Sequence, residues 1–361
     1  QKAKRESHWK DSVQRFGMSI LQNVFALKKE LRSGEYEQRP CVVFTLRERG
    51  KTRLIKSLCI RDRIVQRALC ERVLNPIFER SLIYDNGASV KGKGISFTRN
   101  RLSAHLRKFV RKHGVSGYIL KIDFSKFFDN IDHDLAFEAL KKKINDVQVL
   151  STLRAIFCGF RVDASSLSDA EIEALEMQPL NLLTLAPSKE GRKILNRSLG
   201  IGSQVSQIIG IYYPTPIDFH CKVKRRCKYY GRYMDDIYII HENKKFLESV
   251  LEEVKALSRE LRLFINERKT TITPLKRGFT FLKVKYDILS TGRILKRMCR
   301  DSFVRERKRL HVYRRLLDEG KIDRRIASNY YQSYRGQTRR FASHRSLRNL
   351  DALYHNLFVE N

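Results

Sequence analysis

Two aspartates stand side by side at Asp235 and Asp236, between Lys228-Tyr-Tyr-Gly-Arg232 and Ile237-Tyr-Ile-Ile240. Both flanks are rich in aromatic and β-branched residues, so they read as two strands joined at Tyr233-Met-Asp-Asp236. Such an apolar hairpin can enter a core only by carrying two carboxylates with it. Buried charge is costly unless a cation meets it. A divalent ion answers that need, because hard cations such as Mg²⁺ prefer oxygen ligands and substrate phosphates. Aspartate is also common in turns, and a lone Asp-Asp would read as nothing more. A second acidic strand end shifts the balance towards a metal site.

That partner is Asp123, in Gly117-Tyr-Ile-Leu-Lys-Ile-Asp-Phe-Ser-Lys-Phe-Phe128. The run is rich in strand formers and predicts a buried strand with a carboxylate at its C-terminal end. Carboxylates from two strands can hold two ions roughly 3.5–4 Å apart, an arrangement used for phosphoryl transfer. One ion would lower the pKa of an attacking 3′-hydroxyl. The other would hold a triphosphate and offset charge on the leaving pyrophosphate. Positioning and electrostatics carry most of this chemistry, so few protein groups are needed.

Charge points to the same class of partner. The 361 residues hold 73 Lys and Arg against 39 Asp and Glu, a formal charge of +34. A polyanion is the natural compensation for so one-sided a surplus. With 15 Tyr and 20 Phe, rings are available to stack on bases beside the cations. The length predicts two or three subdomains. No apolar run approaches the roughly 20 residues that span a bilayer, and the polar, basic N-terminus does not resemble a secretory leader. Seven cysteines, odd in number and without a Cys-x-x-Cys pair, predict reduced thiols and a cytoplasmic setting. The nine dispersed histidines lack zinc-finger spacing.

Along the chain, Trp9, Val13, Phe16, Ile20, Val24 and Leu27 recur at helical steps. A hairpin follows, with Lys51 and Arg53 near its tip. Helices are predicted over 61–80, 97–112, 133–144, 147–160 and 244–262. A strand is expected at 262–266, and a hairpin at 279–297. The stretch 161–190 is acidic in an otherwise basic chain, with Asp163, Asp169, Glu171, Glu173 and Glu176. It reads as an insertion that packs on basic surface or on a partner. From Met298 the chain is basic and helical, with segments near 302–318, 322–335 and 344–357. Tyr330, Tyr331 and Tyr334 there read as core or stacking residues, with a protein-primer role as the alternative.

In combination these segments resemble the reverse transcriptases. Lys121-Ile-Asp123-Phe-Ser-Lys-Phe-Phe128, Ile201-Gly202-Ser-Gln-Val-Ser206-Gln207, Tyr233-Met-Asp-Asp236, Leu263-Phe-Ile-Asn-Glu-Arg-Lys269-Thr and Phe279-Thr-Phe-Leu282 stand in that family's order. Lys51-Thr-Arg53 and Arg61-Asp-Arg-Ile-Val-Gln66 resemble its fingers. The likeness covers about residues 40–290. It implies an α+β, right-hand polymerase. N-terminal helices and fingers would occupy 1–112, a palm with an antiparallel sheet 113–290, and a basic helical thumb 291–361.

The resemblance also assigns roles. Asp123 and Asp235 would bind two Mg²⁺ ions, with Mn²⁺ as the alternative; the Phe124 carbonyl would assist, and Asp236 would be a less direct third carboxylate. Phe128 matches the steric-gate position that disfavours a ribose 2′-hydroxyl, though it could be a core aromatic, a role Phe127 could fill instead. Lys51 and Arg53 match cations on the incoming triphosphate, and Lys269 the lysine that protonates departing pyrophosphate. Ile201, Gly202, Ser206 and Gln207 would lie beside the nucleotide.

Two departures from the commoner pattern stand out. Many reverse transcriptases have Gln-Gly-x-x-x-Ser-Pro where this chain has Ile201-Gly202-x-x-x-Ser206-Gln207. The latter form resembles diversity-generating-retroelement and defence-associated prokaryotic lineages, and losing the glutamine predicts weaker base discrimination. Lys283 stands where the primer-grip segment commonly has glycine. The reading taken forward is an RNA-directed DNA polymerase of the prokaryotic cytoplasm. It would make cDNA from dNTPs on a structured noncoding RNA in antiphage defence, with an accessory protein or a homo-oligomer as further partner and no membrane. The alternatives are a diversity-generating retroelement enzyme, a template-independent DNA polymerase, and a non-catalytic RNA-binding scaffold.

Overall fold

The β-branched and aromatic runs fold into thirteen short strands, and the segments of 3.6-residue periodicity into helices, in a computed structural model that describes residues 8–48, 50–185 and 193–359. β1 (Val42–Glu48) and β2 (Lys51–Ser57) form an antiparallel hairpin in register from Val42↔Ser57 to Glu48↔Lys51. Gly50, with φ 75°, supplies the left-handed residue at its tip. β3 (Tyr118–Ile122) and β4 (Phe124–Ser125) flank Asp123. β5 (Val162–Asp163) and β6 (Ile194–Leu195) pair antiparallel. β7 (Tyr229–Tyr233), β8 (Asp236–His241), β9 (Phe264–Ile265) and β10 (Thr271–Pro274) follow, then β11 (Phe279–Phe281), β12 (Val284–Ile288) and β13 (Ile294–Met298). The sheet that carries the acidic strand ends has the order β10-β3-β8-β7.

The chain divides into two compact units. The first comprises residues 1–98, 121–239 and 246–271 and holds every candidate site residue. Helix Ile60–Leu69 was expected to run unbroken to 80; a π-turn over Cys70–Leu74 interrupts it before Asn75–Phe78. The extra residue keeps Leu74 and Phe78 in the core, where both are buried. At the N-terminus the predicted apolar stripe is only partly used. Ser19 (φ −116°, ψ 45°) separates helix Asp11–Met18 from helix Ile20–Ser33. Val13 and Leu27 are buried, while Trp9 and Val24 stay exposed.

The acidic segment also belongs to this unit, and its residues 186–190 lie outside the described ones. Its helix, Asp169–Ala174, starts with a capping box between Ser168 and Glu171. Apolar contact holds the segment in place. Val162, Leu180 and Leu182 form a small cluster with Leu54 of β2 and Leu195 of β6. Asn130 accepts the Leu180 N–H at 2.7 Å and donates to its carbonyl at 3.4 Å. Of its acidic residues, Asp169 meets Lys193 at 2.8 Å.

The second unit comprises 99–120, 240–245 and 272–361. Where a hairpin was expected, β11, β12 and β13 form a three-stranded antiparallel sheet. Helices Arg300–Asp318, Arg324–Thr338 and His344–Phe358 bury Phe303, Leu310, Ala327, Tyr331, Leu350 and Phe358 against one another. Tyr331 is a core residue stacked on Tyr354, with its hydroxyl donating to Asp351. The Tyr330 hydroxyl is bound to Glu306. All seven cysteines are free thiols. No helix among the described residues is long and apolar enough to cross a membrane.

Candidate active site

β7 and β8 are neighbours in the sheet and only Met234 and Asp235 join them, so the pair is an antiparallel hairpin with the carboxylates at its tip. Met234 takes φ 56°, a left-handed conformation that side chains adopt rarely. Gly231 has to be glycine: a Cβ there would lie 2.6 Å from the Tyr238 hydroxyl oxygen. Ile237, Tyr238 and Ile239 are fully buried and anchor the hairpin.

Asp123 is fixed from the other side. Its carbonyl accepts the Asn266 N–H at 2.8 Å, and its own N–H reaches Thr270 Oγ1 at 3.4 Å. β4 pairs with β9 through Phe124↔Ile265 and Ser125↔Phe264. The turn after β9 therefore places Lys269 on the carboxylate, with Nζ donating to Oδ2 at 2.7 Å and to Oδ1 at 3.2 Å.

The three aspartates share one electrostatic field. Burial, then the charges of Asp235 and Asp123, push the Asp236 carboxyl up to about 7. Asp235 is also raised, first by burial and then by Asp123, against the pull of its own backbone N–H. Lys269 and Lys51 oppose both shifts, which places the tip of β2 within electrostatic reach of the acidic hairpin. Carboxylates that burial and mutual repulsion hold above their ordinary range suit a divalent cation. Among the described residues no three His, Cys, Asp or Glu side chains close a cage by themselves. An ion here would complete its shell from water, substrate phosphate and a backbone oxygen such as that of Phe124, in the manner of Mg²⁺.

Phe127 and Phe128 differ in burial. Phe127 is a core residue, while Phe128 is half-buried and lies edge-on to it at 5.3 Å. A Cβ on Gly210 would sit 2.9 Å from the Phe128 ring and 3.3 Å from Met234 Sδ, so Phe128, Gly210 and the acidic turn are contiguous. Gly210 lies in helix Gln204–Tyr212, which Ser203 caps by accepting the Ser206 N–H. The Ser203 hydroxyl donates to Gln66 at 2.6 Å, and Gln66 donates to Gln38 at 2.8 Å. Ser206 is buried, with no partner for its hydroxyl among the described residues, and Gln207 is exposed. Gly202 takes φ 109°, and a Cβ there would be 3.9 Å from Ile55 of β2, which sets the Ile201-Gly202 turn beside the hairpin. Arg53 is engaged elsewhere: its guanidinium pairs with Glu48 at 3.0 Å across the hairpin.

Sequence reasoning missed Arg232 and Asp218, a fully buried ion pair just behind the acidic turn. The signal was present in a charged residue placed inside an apolar strand and an Asp inside the apolar helix Thr215–Phe219. It also missed Asp129 and Lys56, opposite charges within electrostatic reach of each other: Asp129 is half-buried against the Leu182 N–H, and Lys56 is buried with its Nζ donating to the Phe160 carbonyl at 2.8 Å.

The strand order, the paired aspartates on a tight hairpin and the third at a neighbouring strand end define an α+β, right-hand polymerase. The profile described as Reverse transcriptase (RNA-dependent DNA polymerase) matches residues 39–286, and the chain belongs to that family of RNA-directed DNA polymerases. It is similar to Protein YkfC of Escherichia coli (strain K12), at 24% identity over 276 residues, 71% of this chain and 69% of that protein. Among solved structures it is similar to the apo telomerase of Candida tropicalis truncated from its C-terminal domain (TM-score 0.49, 14% identity, 77% of this chain). A telomerase of Candida albicans in complex with a fragment of telomeric RNA is also similar (TM-score 0.48, 12% identity, 77% of this chain). The chain spans 60% of the first of these telomerase chains and 51% of the second.

Proposed function

We propose that this chain copies a structured noncoding RNA into DNA by two-metal nucleotidyl transfer. The carrying observation is that Asp123 stands with Asp235 and Asp236 at the ends of neighbouring strands of one sheet, where burial and the charge of Asp123 raise the other two carboxyls and Lys269 is seated on Asp123. Two Mg²⁺ ions, or Mn²⁺, would be held by Asp123, Asp235 and the Phe124 carbonyl, with Asp236 as outer carboxylate. When bound they supply Lewis acidity at the attacking 3′-hydroxyl and at the departing pyrophosphate.

The protein's own groups do the rest. Lys51 carries positive charge from the fingers to the triphosphate, and Arg53 follows once it leaves Glu48. Lys269 holds a proton beside the Asp123 carboxylate and gives it to the leaving pyrophosphate. Phe128, backed by Gly210, excludes a 2′-hydroxyl. Ile201, Gly202, Ser206 and Gln207 line the nucleotide's other side, where an aliphatic residue in place of glutamine leaves the base pair less closely inspected. Fingers, palm and thumb fall at 1–112, 113–290 and 291–361.

The Ile201-Gly202-x-x-x-Ser206-Gln207 form is shared by diversity-generating-retroelement and defence-associated lineages; of the two, the reading adopted is antiphage defence, with an accessory protein or a second copy as further partner and the bacterial cytoplasm as compartment. Primer extension on an RNA template with dNTPs and Mg²⁺ tests the reading. Wild type extends the primer, and Asp235→Asn loses at least about 10³-fold in rate, as expected when charge stabilisation at the reacting centre goes. Equal rates for the two, or synthesis that persists without RNA, would overturn it. Sequencing the nucleic acid that co-purifies with the chain identifies the template.

A further inference from the structure

Behind the acidic turn, one guanidinium connects the turn to the helix that faces it. Arg232, the last residue but one of β7, and Asp218 are both fully buried. Arg232 Nε donates to Asp218 Oδ1 at 2.8 Å, and Nη2 donates to Oδ2 at 2.6 Å. The same Nη2 donates to the Ile211 carbonyl at 2.7 Å, and Nη1 donates to the Met234 carbonyl at 3.2 Å. The Tyr230 hydroxyl donates to Asp218 Oδ1 at 2.5 Å and completes the carboxylate's shell. The backbone is held too: Arg232 N–H donates to the Asp85 carbonyl at 3.1 Å, and Gly87 N–H donates to the Arg232 carbonyl at 3.0 Å.

We propose that Arg232 is the positioning residue of the catalytic turn: clamped by Asp218, it fixes the Met234 carbonyl and thereby aims Asp235 and Asp236. The proposal rests on the reading of those aspartates as catalytic. Three observations carry it. First, Met234 has left-handed backbone without being glycine, a conformation that persists only where surroundings enforce it. Its carbonyl is the group Arg232 holds. Second, a buried ion pair is a poor device for stability alone, since apolar residues of similar size usually serve as well. This one directs its remaining donors at two carbonyls of the site. Third, Ile211 adjoins Gly210, whose neighbours are Phe128 and Met234, so the fork ties the turn and the nucleotide-side helix into one body. A lysine could keep the charge but not the planar fork that reaches all three acceptors.

The test uses the full chain on an RNA template with a DNA primer, dNTP and Mg²⁺. Single-turnover rate, dNTP KM, primer–template Kd and thermal midpoint are read for wild type, Arg232→Lys, Asp218→Asn, Tyr230→Phe and Asp235→Asn. Arg232→Lys is expected to fold, bind primer–template within about twofold of wild type, and lose about 100-fold in kcat, the scale of an ångström-sized misplacement. A folded Arg232→Lys that keeps kcat within about threefold overturns the proposal, because its role is then structural only. Should Arg232→Lys fail to fold, Tyr230→Phe decides, since it keeps the ion pair and removes one bond to Asp218. A fall in kcat of several-fold at unchanged primer–template Kd upholds positioning, and an unchanged kcat overturns it. Activity retained by Asp235→Asn would instead mark failure of the underlying reading of the site.

Discussion

Adjacent residues of one type can meet different fates, and Phe127 and Phe128 show how. Phe127 is consumed by the core, whereas the half-buried Phe128 lies beside Gly210 and Met234, where the proposed function makes it the steric gate. Phe128→Ala should raise the ratio of ribonucleotide to deoxyribonucleotide kcat/KM by about 10- to 100-fold, the usual worth of steric exclusion of one small group. An unchanged ratio in paired extension assays would remove Phe128 from the role. One residue further on, Asp129 makes a different prediction. Burial pushes its carboxyl up to about 6, against the opposing pull of Lys126, the Leu182 N–H and Lys56. A raised carboxyl pKa means that the folded chain keeps its proton after the unfolded chain has released it. This contribution to stability is therefore full below pH 3.8 and is lost as pH rises through about 6. Two pKa units correspond to roughly 2–3 kcal/mol. Asp129→Asn should unfold at a temperature that gains on wild type between about pH 4 and pH 7.5. Thermal melts that stay parallel across that range would contradict the assignment.

At the scale of elements, the turn between β11 and β12 accounts for a departure that the sequence only flagged. Leu282 and Lys283 both have positive φ, 46° and 64°, the pair a two-residue hairpin turn demands. Neither is glycine. The turn is held from outside, because the Arg99 guanidinium donates through Nε to the Leu282 carbonyl at 3.1 Å. Relieving the left-handed strain, Lys283→Gly should stabilise the chain by about 1 kcal/mol, measured as a shift in denaturant midpoint at unchanged slope. A lower midpoint would show that the lysine side chain holds the turn by contacts of its own. The same contrast marks what a linear reading could reach. Helices Ile95–His113 and Lys244–Glu260 were legible because their apolar positions keep one face. Asp123, Asp235 and Asp236 were legible because an apolar strand seldom ends in a buried carboxylate unless a cation meets it there. The π-turn at Cys70–Leu74 left no mark, since one added residue changes the hydrogen bonding without breaking the apolar pattern. The stripe from Trp9 to Leu27 misled for the converse reason: periodicity reports a face, and Ser19 alone decides that the face is not continuous. Arg232 and Asp218 lie 14 positions apart, and only tertiary packing brings them to 2.6 Å.

For the molecule as a whole, the charge surplus outweighs every local arrangement. Even if each of the 39 acidic residues met a cation, 34 Lys and Arg would remain unmatched, since 73 − 39 = 34. Several acids do take cations out of play: Glu48 holds Arg53, Asp218 holds Arg232, and Asp123 holds Lys269. The surplus is therefore carried by residues in no such pair, and a bound polyphosphate backbone would disperse it by releasing its own counterions. The affinity of the chain for nucleic acid should then fall with added salt along a straight line in log–log coordinates. For six to ten phosphate contacts, raising salt from about 50 to 200 mM should cost about 10³- to 10⁵-fold in affinity. Fluorescence anisotropy with a labelled RNA hairpin measures the slope directly. Asp235→Asn should give the same slope as wild type, because the acidic turn contributes no cation, although its extension rate collapses. A slope near zero would mean that the surplus is not what holds the template. A slope altered by Asp235→Asn would mean that the acidic centre and the basic surface do not act independently.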